Sequence, residues 1–150
     1  MDVMLEPNNV RMEFPSRPEN VAFARTAVAM FAAQMDFTLD EIDEIKIATS
    51  EAVSNAVIHG YKDRVGIVKV TVALYDDYLE IRVEDEGVGI EDIQRAMEPA
   101  FTTDPTQRMG LGMVFMKEYM DKLDIRSEVN KGTEVIMQKS PSAGNRETAE

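Results

Sequence analysis

The sequence predicts an α+β fold, a two-layer α/β sandwich in which helices cover one face of a mixed, largely antiparallel sheet. Short runs with period-2 alternation, such as Val10, Met12 and Phe14 against Arg11 and Glu13, predict strands with one buried face. Two capping-box signals, Ser16-Arg-Pro-Glu19 and Thr38-Leu-Asp-Glu41, open stretches of helical periodicity. Turn chemistry at Asp76-Asp77 and Asn130-Lys-Gly132 joins the later alternating runs into hairpins. Helices and hairpins mixed in this order suit a sheet with helices on one face.

Taken in order, a strand around residues 10–14 precedes a helix that starts after Ser16, with proline in its first turn, and runs to about residue 35. Its apolar residues Val21, Phe23, Ala24, Val28, Met30 and Phe31 cover more than one stripe. Either the helix is densely packed or a second face meets a partner chain. The second helix runs from the Thr38 cap to Gly60, a natural C′ residue. Ile42, Ile45, Thr49, Ala52, Val53 and Ala56 form its core face. Strands follow at 67–75 and 78–84, then a short helix at 91–98. Residues 99–109 hold two prolines and three threonines without periodicity and predict a mobile loop. A helix is expected from about 110 to 122, and strands at 125–129 and 133–139. One domain is expected over residues 1–139, with a disordered polar tail over 140–150.

Composition narrows the function classes. A chain of 150 residues with 44% hydrophobic and 29% charged residues has the make-up of one globular domain. No cysteine is present, which excludes disulfides, thiolate metal sites and a cysteine nucleophile. Acidic residues outnumber basic ones 28 to 16, a net charge of −12. That disfavours direct contact with a nucleic-acid backbone, so any role in transcription should act through another protein. Asp2, Glu6 and Pro7 do not make a secretory leader, and no apolar run is long enough to span a bilayer. A cytoplasmic protein without membrane contact is the expectation. The same charge repels phosphates, so a phosphate site must be built locally from backbone N–H groups, a metal ion and a few cations.

Three pieces of sequence carry candidate chemistry. Glu51, Asn55 and His59 recur every four residues along one side of the second helix, opposite its core face. Ile47, Ala48 and Ile58 flank them, where an exposed helix would carry Lys, Glu or Gln, so a pocket wall competes with a solvated surface. Asp85 continues the parity of Leu79, Ile81 and Val83 and should point to the core side. A buried carboxylate needs a donor, and an exocyclic amine such as that of adenine would serve. Gly87 and Gly89 would let the backbone pass close to a flat ligand. Alternatively Asp85 caps an ordinary turn. Gly110-Leu111-Gly112 at the expected start of a helix would offer free N–H groups to phosphate, with Arg108 just before it. An ordinary loop-to-helix junction would look the same.

The order of these pieces is more specific than any one of them. Helix Glu-x-x-x-Asn, strand-Asp-x-Gly-x-Gly, a flexible stretch, then Gly-x-Gly resembles the Bergerat-fold ATPases, the superfamily of gyrase, histidine kinases and MutL. The resemblance covers about residues 10–139. It implies that Asn55 binds Mg²⁺, that Asp85 accepts the adenine amine, and that Gly87, Gly89, Gly110, Leu111 and Gly112 shape the loops around ATP or ADP. It further implies that Thr102 and Thr103 belong to the lid over the nucleotide and that Thr133 sits beside adenine. Phe23-Ala-Arg-Thr, Glu44-Ile-Lys, Ser50-Glu-Ala-Val-Ser-Asn-Ala-Val-Ile-His-Gly-Tyr61 and Phe101-Thr-Thr resemble the small anti-sigma factor kinases of spore-forming bacteria. That family resemblance implies a homodimer that binds a sporulation sigma factor of the sigma F type. It also implies phosphorylation of a serine on an anti-anti-sigma partner. Arg25 matches a partner-binding arginine and Arg108 a lid arginine near the γ-phosphate. Glu51, one turn from Asn55, is the candidate catalytic base.

Asp104 and Met109 depart from the family pattern, which commonly has lysine and serine there; both fall in the lid. A general-stress anti-sigma kinase and a nucleotide-gated sigma-binding module without kinase activity stand as alternatives. A two-component histidine kinase is disfavoured, because no dimerisation helix pair precedes the domain and the sole histidine, His59, reads as structural rather than phospho-accepting.

Overall fold

The computed structural model describes residues 6–62, 64–97 and 105–142, with backbone alone for residues 105–108. β1 (Asn8–Pro15) pairs with β2 (Ile67–Leu74), β2 with β3 (Leu79–Asp85), β3 with β5 (Gly132–Lys139) and β5 with β4 (Lys122–Glu128), in the order β1-β2-β3-β5-β4. All four pairings are antiparallel. Register follows parity. Val70, Val83 and Val135 form one rung across the sheet, and Val72, Ile81 and Met137 the next; all six are buried. A slip of one residue would turn every one of them to the opposite face. That opposite face carries Glu13–Lys69, Arg82–Glu134 and Arg126–Glu134 ion pairs, each too solvated to add much stability.

α1 (Glu19–Ala32), α2 (Leu39–Asn55) and α4 (Pro105–Tyr119) cover the apolar face, and the short α3 (Ile93–Ala96) packs beside α4. α2 lies between α1 and α4. Its start is the predicted capping box: Thr38 Oγ1 accepts from the Glu41 N–H at 3.1 Å, and Glu41 Oε1 accepts from the Thr38 N–H at 2.8 Å. Its last turn widens into a π-turn, Ala56–Gly60, closed by the Tyr61 N–H donating to the Ala56 carbonyl at 3.2 Å.

Several expectations change, among them the end of the last helix, which stops at Tyr119 so that β4 starts at Lys122 and not at 125. Ser16 does not cap α1, because the cap is Pro18 and Ser16 lies two residues too early to reach the third helical amide. Its hydroxyl instead accepts from the Gly66 N–H at 2.9 Å, tying the end of β1 to the start of β2. α1 ends at Ala32, short of residue 35. α4 starts at Pro105, so Gly110, Leu111 and Gly112 lie inside the helix and not at its free N-terminus. Proline is well suited to a first helical position, and Thr106, Gln107, Arg108 and Met109 do not break the helix that follows. The chain also remains attached beyond residue 139: the Ser140 N–H donates to Asp121 Oδ2 and the Ser142 N–H to Glu41 Oε2. Residues 143–150 of the expected tail lie outside the described residues.

Thr38→Ala removes one half of the capping box. It is expected to cost about 1 kcal/mol and to lower the melting temperature by about 2–4 °C, read by calorimetry. An unchanged melting temperature would show that α2 does not depend on its cap.

Candidate functional site

α2 with its π-turn and β3 with the loop after it face each other across a narrow cleft. Asn55 and His59 line one wall, and Asp85, Gly89 and Ile90 another. Thr133 and Val135 of β5 form the floor, and Met109 and Met113 of α4 close the open side. The remaining cavity is about 20 Å³, room for about one water molecule.

Asp85 ends β3 on the apolar side, as its parity predicts. Burial raises its carboxyl above its ordinary value, partly countered by the facing N–H groups of Gly87 and Thr133. The Gly87 bond to Oδ1 is 2.9 Å long. Gly60 backs the carboxylate so closely that a Cβ there would lie 2.9 Å from Asp85 Cγ. A Cβ on Gly87 would lie 1.9 Å from the Gly60 carbonyl oxygen. That absence of side chains lets the Val88 N–H donate to the Gly60 carbonyl at 2.9 Å. Gly89 then takes φ +77°, a left-handed conformation that glycine adopts without steric cost. The loop is fixed from beyond as well. Ser127 Oγ accepts from the Ile90 N–H at 2.7 Å, donates to the Gly132 carbonyl at 3.1 Å and meets Thr133 Oγ1 at 2.8 Å. With its one proton spent on Gly132, Ser127 accepts from the Thr133 hydroxyl, which leaves Thr133 Oγ1 an acceptor.

On the opposite wall, Asn55 Nδ2 is buried without a hydrogen-bond partner. Buried amides are nearly always satisfied, so this donor is suited to a ligand oxygen. A carboxamide that offers a donor to phosphate and an oxygen to a hard cation fits a magnesium–nucleotide site. Among the described residues no cluster of three His, Cys, Asp or Glu could hold a metal alone, so phosphate oxygens and water would complete the shell. Glu51 stands one turn before Asn55 under α4: a Cβ on Gly112 would lie 2.6 Å from Glu51 Oε2. Gly112 therefore serves as a contact between two helices. Of the apolar flank expected beside this stripe, Ala48 is buried but Ile47 and Ile58 are exposed.

A family model for the histidine kinase-like ATPase domain matches residues 14–139. The anti-sigma F factor of Clostridium acetobutylicum is 47% identical over 137 residues, covering 91% of this chain and 95% of the relative. That of Geobacillus kaustophilus is 49% identical over 134 residues, covering 88% and 92%. The chain belongs to the anti-sigma F factors, within the histidine kinase-like ATPase domain family. Among solved structures, the RsbU and RsbW domains of a Mycobacterium tuberculosis protein match at TM-score 0.63 and 19% identity, over 89% of this anti-sigma F family member and 32% of that chain. A histidine kinase domain from Erythrobacter litoralis matches at TM-score 0.53 and 17% identity, over 89% and 64%. At these identities the likeness is one of fold. The family carries ATP binding with it.

The structure brings Asn55, Asp85, Gly89 and Thr133 to one cleft, and Gly87 behind it. Glu51 and Gly112 meet beside it, while Leu111 is exposed on α4. Thr102 and Thr103 lie outside the described residues, as does the side chain of Arg108. Arg25 is apart from the cleft, on α1, with its guanidinium donating to Ser50 Oγ at 3.3 Å. Ser127, Ile90 and Met113 were not singled out from the sequence, whereas His59 was placed on the same helix stripe as Glu51 and Asn55 and does line the cleft beside Asn55.

If Asp85 accepts an adenine amine, its ionised form is the stronger acceptor, and ADP affinity is expected to be full at neutral pH. It should fall with acidification at a higher pH than an ordinary aspartate would give, as followed by calorimetry. Asp85→Asn should weaken ADP binding by about 10- to 100-fold, the worth of a charge-assisted hydrogen bond. Its melting temperature at neutral pH should not drop. A carboxyl raised on folding binds protons more tightly when folded, so its ionised form costs stability above that raised value, and the amide avoids the cost. Undiminished ADP binding by this variant would remove Asp85 from the site.

Proposed function

We propose that this chain is an anti-sigma factor kinase with two activities. With ATP or ADP bound, it holds a sporulation sigma factor of the sigma F type away from RNA polymerase. With ATP, it phosphorylates a serine on an anti-anti-sigma partner and so ends that partner's competition. The names of the relatives support the first activity. The observation that carries the second is the unpartnered buried amide of Asn55 facing Asp85 across one cleft, with Glu51 a turn away.

In this reading Asp85 and Thr133 hold adenine, and Asn55 holds Mg²⁺ through its carboxamide oxygen. The ion supplies charge compensation on the phosphates. Glu51 orients the serine hydroxyl and takes its proton as the new oxygen–phosphorus bond forms and the bond to the β-phosphate oxygen breaks, leaving ADP. Arg108 offsets charge on the transferring group, and Thr102 and Thr103 take part as further lid residues. A nucleotide displaces Met109 and Met113 from the cleft. Gly110 and Gly112 inside α4 lower the cost, since each weakens a helix interior by about 1 kcal/mol relative to alanine. Arg25 contacts the protein partners from α1, where Phe23 is 60% and Met30 72% exposed. The working form is a homodimer in the cytoplasm.

The test is transfer of labelled phosphate from ATP to the partner's serine. Glu51→Gln should slow transfer by about 10²-fold or more while ATP still binds. Asn55→Ala should abolish the magnesium-dependent part of ATP affinity. Wild-type transfer by Glu51→Gln would remove the base role. No transfer by the wild-type protein, with sigma still captured, would leave a nucleotide-gated binding module. Pull-down of the bound sigma factor separates sporulation from general stress.

A further inference from the structure

Ser127 lies on β4, behind the cleft rather than lining it. Register makes it the outer member of a rung. Asp85 on β3 pairs with Thr133 on β5, and Thr133 pairs with Ser127. Asp85 and Thr133 face the cleft. Ser127 governs what Thr133 can offer there.

A hydroxyl has one proton and two lone pairs, and Ser127 uses all of them. Its Oγ takes the Ile90 N–H at 2.7 Å, gives its proton to the Gly132 carbonyl at 3.1 Å, and fills its last lone pair with the Thr133 proton at 2.8 Å. Holding the glycine loop and the β4–β5 turn needs only the first two bonds. The third links strands that the ladder already joins, but it withdraws the only proton of the Thr133 side chain from the cleft. The Thr133 N–H meanwhile faces the Asp85 carboxylate. Toward a ligand, the ionised Asp85 and the Thr133 hydroxyl oxygen are therefore neighbouring acceptors, and neither side chain offers a proton. A base edge that meets them must bring protons of its own. An exocyclic amine brings two. A carbonyl at the same position brings none and leaves both acceptors unpaired, a costly outcome in a buried site.

We propose that Ser127 is a positioning residue for base specificity: by holding the Thr133 proton, it makes the cleft take a purine with an exocyclic amine and reject one with a carbonyl in its place. The proposal rests on the nucleotide reading of this cleft. ADP and inosine diphosphate differ in that group. Both are titrated by calorimetry into wild type, Ser127→Ala, Thr133→Val, the double variant and, as the control for the cleft itself, Asp85→Asn. Wild type should prefer ADP, and equal affinity for the two would overturn the proposal. Ser127→Ala frees the Thr133 proton to meet a carbonyl, so the preference should narrow by about tenfold, the worth of one hydrogen bond. A loop that is merely loosened would weaken both nucleotides together. An unchanged preference in Ser127→Ala therefore means that Ser127 only anchors the loop, and the proposal fails. Thr133→Val should also narrow the preference, and adding Ser127→Ala to it should narrow it no further. Further narrowing in the double variant would show that Ser127 acts by a route other than Thr133, which also overturns the proposal. If Ser127→Ala does not fold, Ser127→Cys, whose thiol is only a weak donor and acceptor, is read by the same ratio. If Asp85→Asn binds ADP as tightly as wild type, the nucleotide reading fails instead.

Discussion

The Val88 N–H to Gly60 carbonyl bond, 2.9 Å long, is the contact on which the cleft depends. It joins the end of α2 to the loop after β3, elements that share no local chain connection. A methyl group at Gly87 would sit on the carbonyl oxygen and break it. Because the bond forms, Asn55 and His59 on the helix face Asp85 on the strand, and Gly60 seals the back of the Asp85 carboxylate. The Tyr61 side chain repeats the join one residue further on. Its hydroxyl accepts from the Glu86 N–H at 2.6 Å and donates to the Ile67 carbonyl at 2.8 Å. A strand end, a helix end and the start of β2 thus meet within a few residues, and the polar groups of the site are held by backbone rather than by long side chains.

That rigidity matters because the site holds unfavourable groups. Asp85 is pressed toward its protonated form by burial, and Asn55 keeps an amide with no partner. Both are costly in a folded chain, and in the proposed nucleotide reading an amine donor and a phosphate oxygen would offset the two costs. The two rigid walls therefore carry a desolvated carboxylate on one side and an unpartnered amide donor on the other. The third wall, α4, is apolar where it meets the cleft and is closed down by Met109 and Met113. Methionine adapts its shape at small cost, and its thioether can move aside without abandoning a hydrogen bond. The family relation and this geometry together fit an ATP-binding protein whose net charge of −12 would otherwise repel phosphates.

Much of the fold was legible because it is local. The Thr38–Glu41 box needs residues three apart, and the alternation of Leu79, Ile81, Val83 and Asp85 needs residues two apart; both appear as expected. Gly87 and Gly89 were recognisable as places of close approach, whereas Gly60, read as a C′ residue, instead closes the π-turn and lies against Asp85. Ser16 misled because the same Ser-x-x-Glu pattern has a competing partner fifty residues away in Gly66. The Gly110-Leu111-Gly112 segment misled because glycine marks a helix start or a tight helix contact equally well. Here the nearness of Glu51 makes it a contact.

By itself, then, the sequence determined the elements, the inward aim of Asp85 and the family, since spacing and motif order need no knowledge of distant neighbours. Tertiary structure alone decided that Glu51 lies under Gly112, that Ser127 anchors the glycine loop through Ile90, and that the Asn55 and His59 stripe walls a cleft rather than facing open solvent. Each of these joins residues brought together by register and helix packing, and their chemistry is set by burial, which no spacing along the chain records.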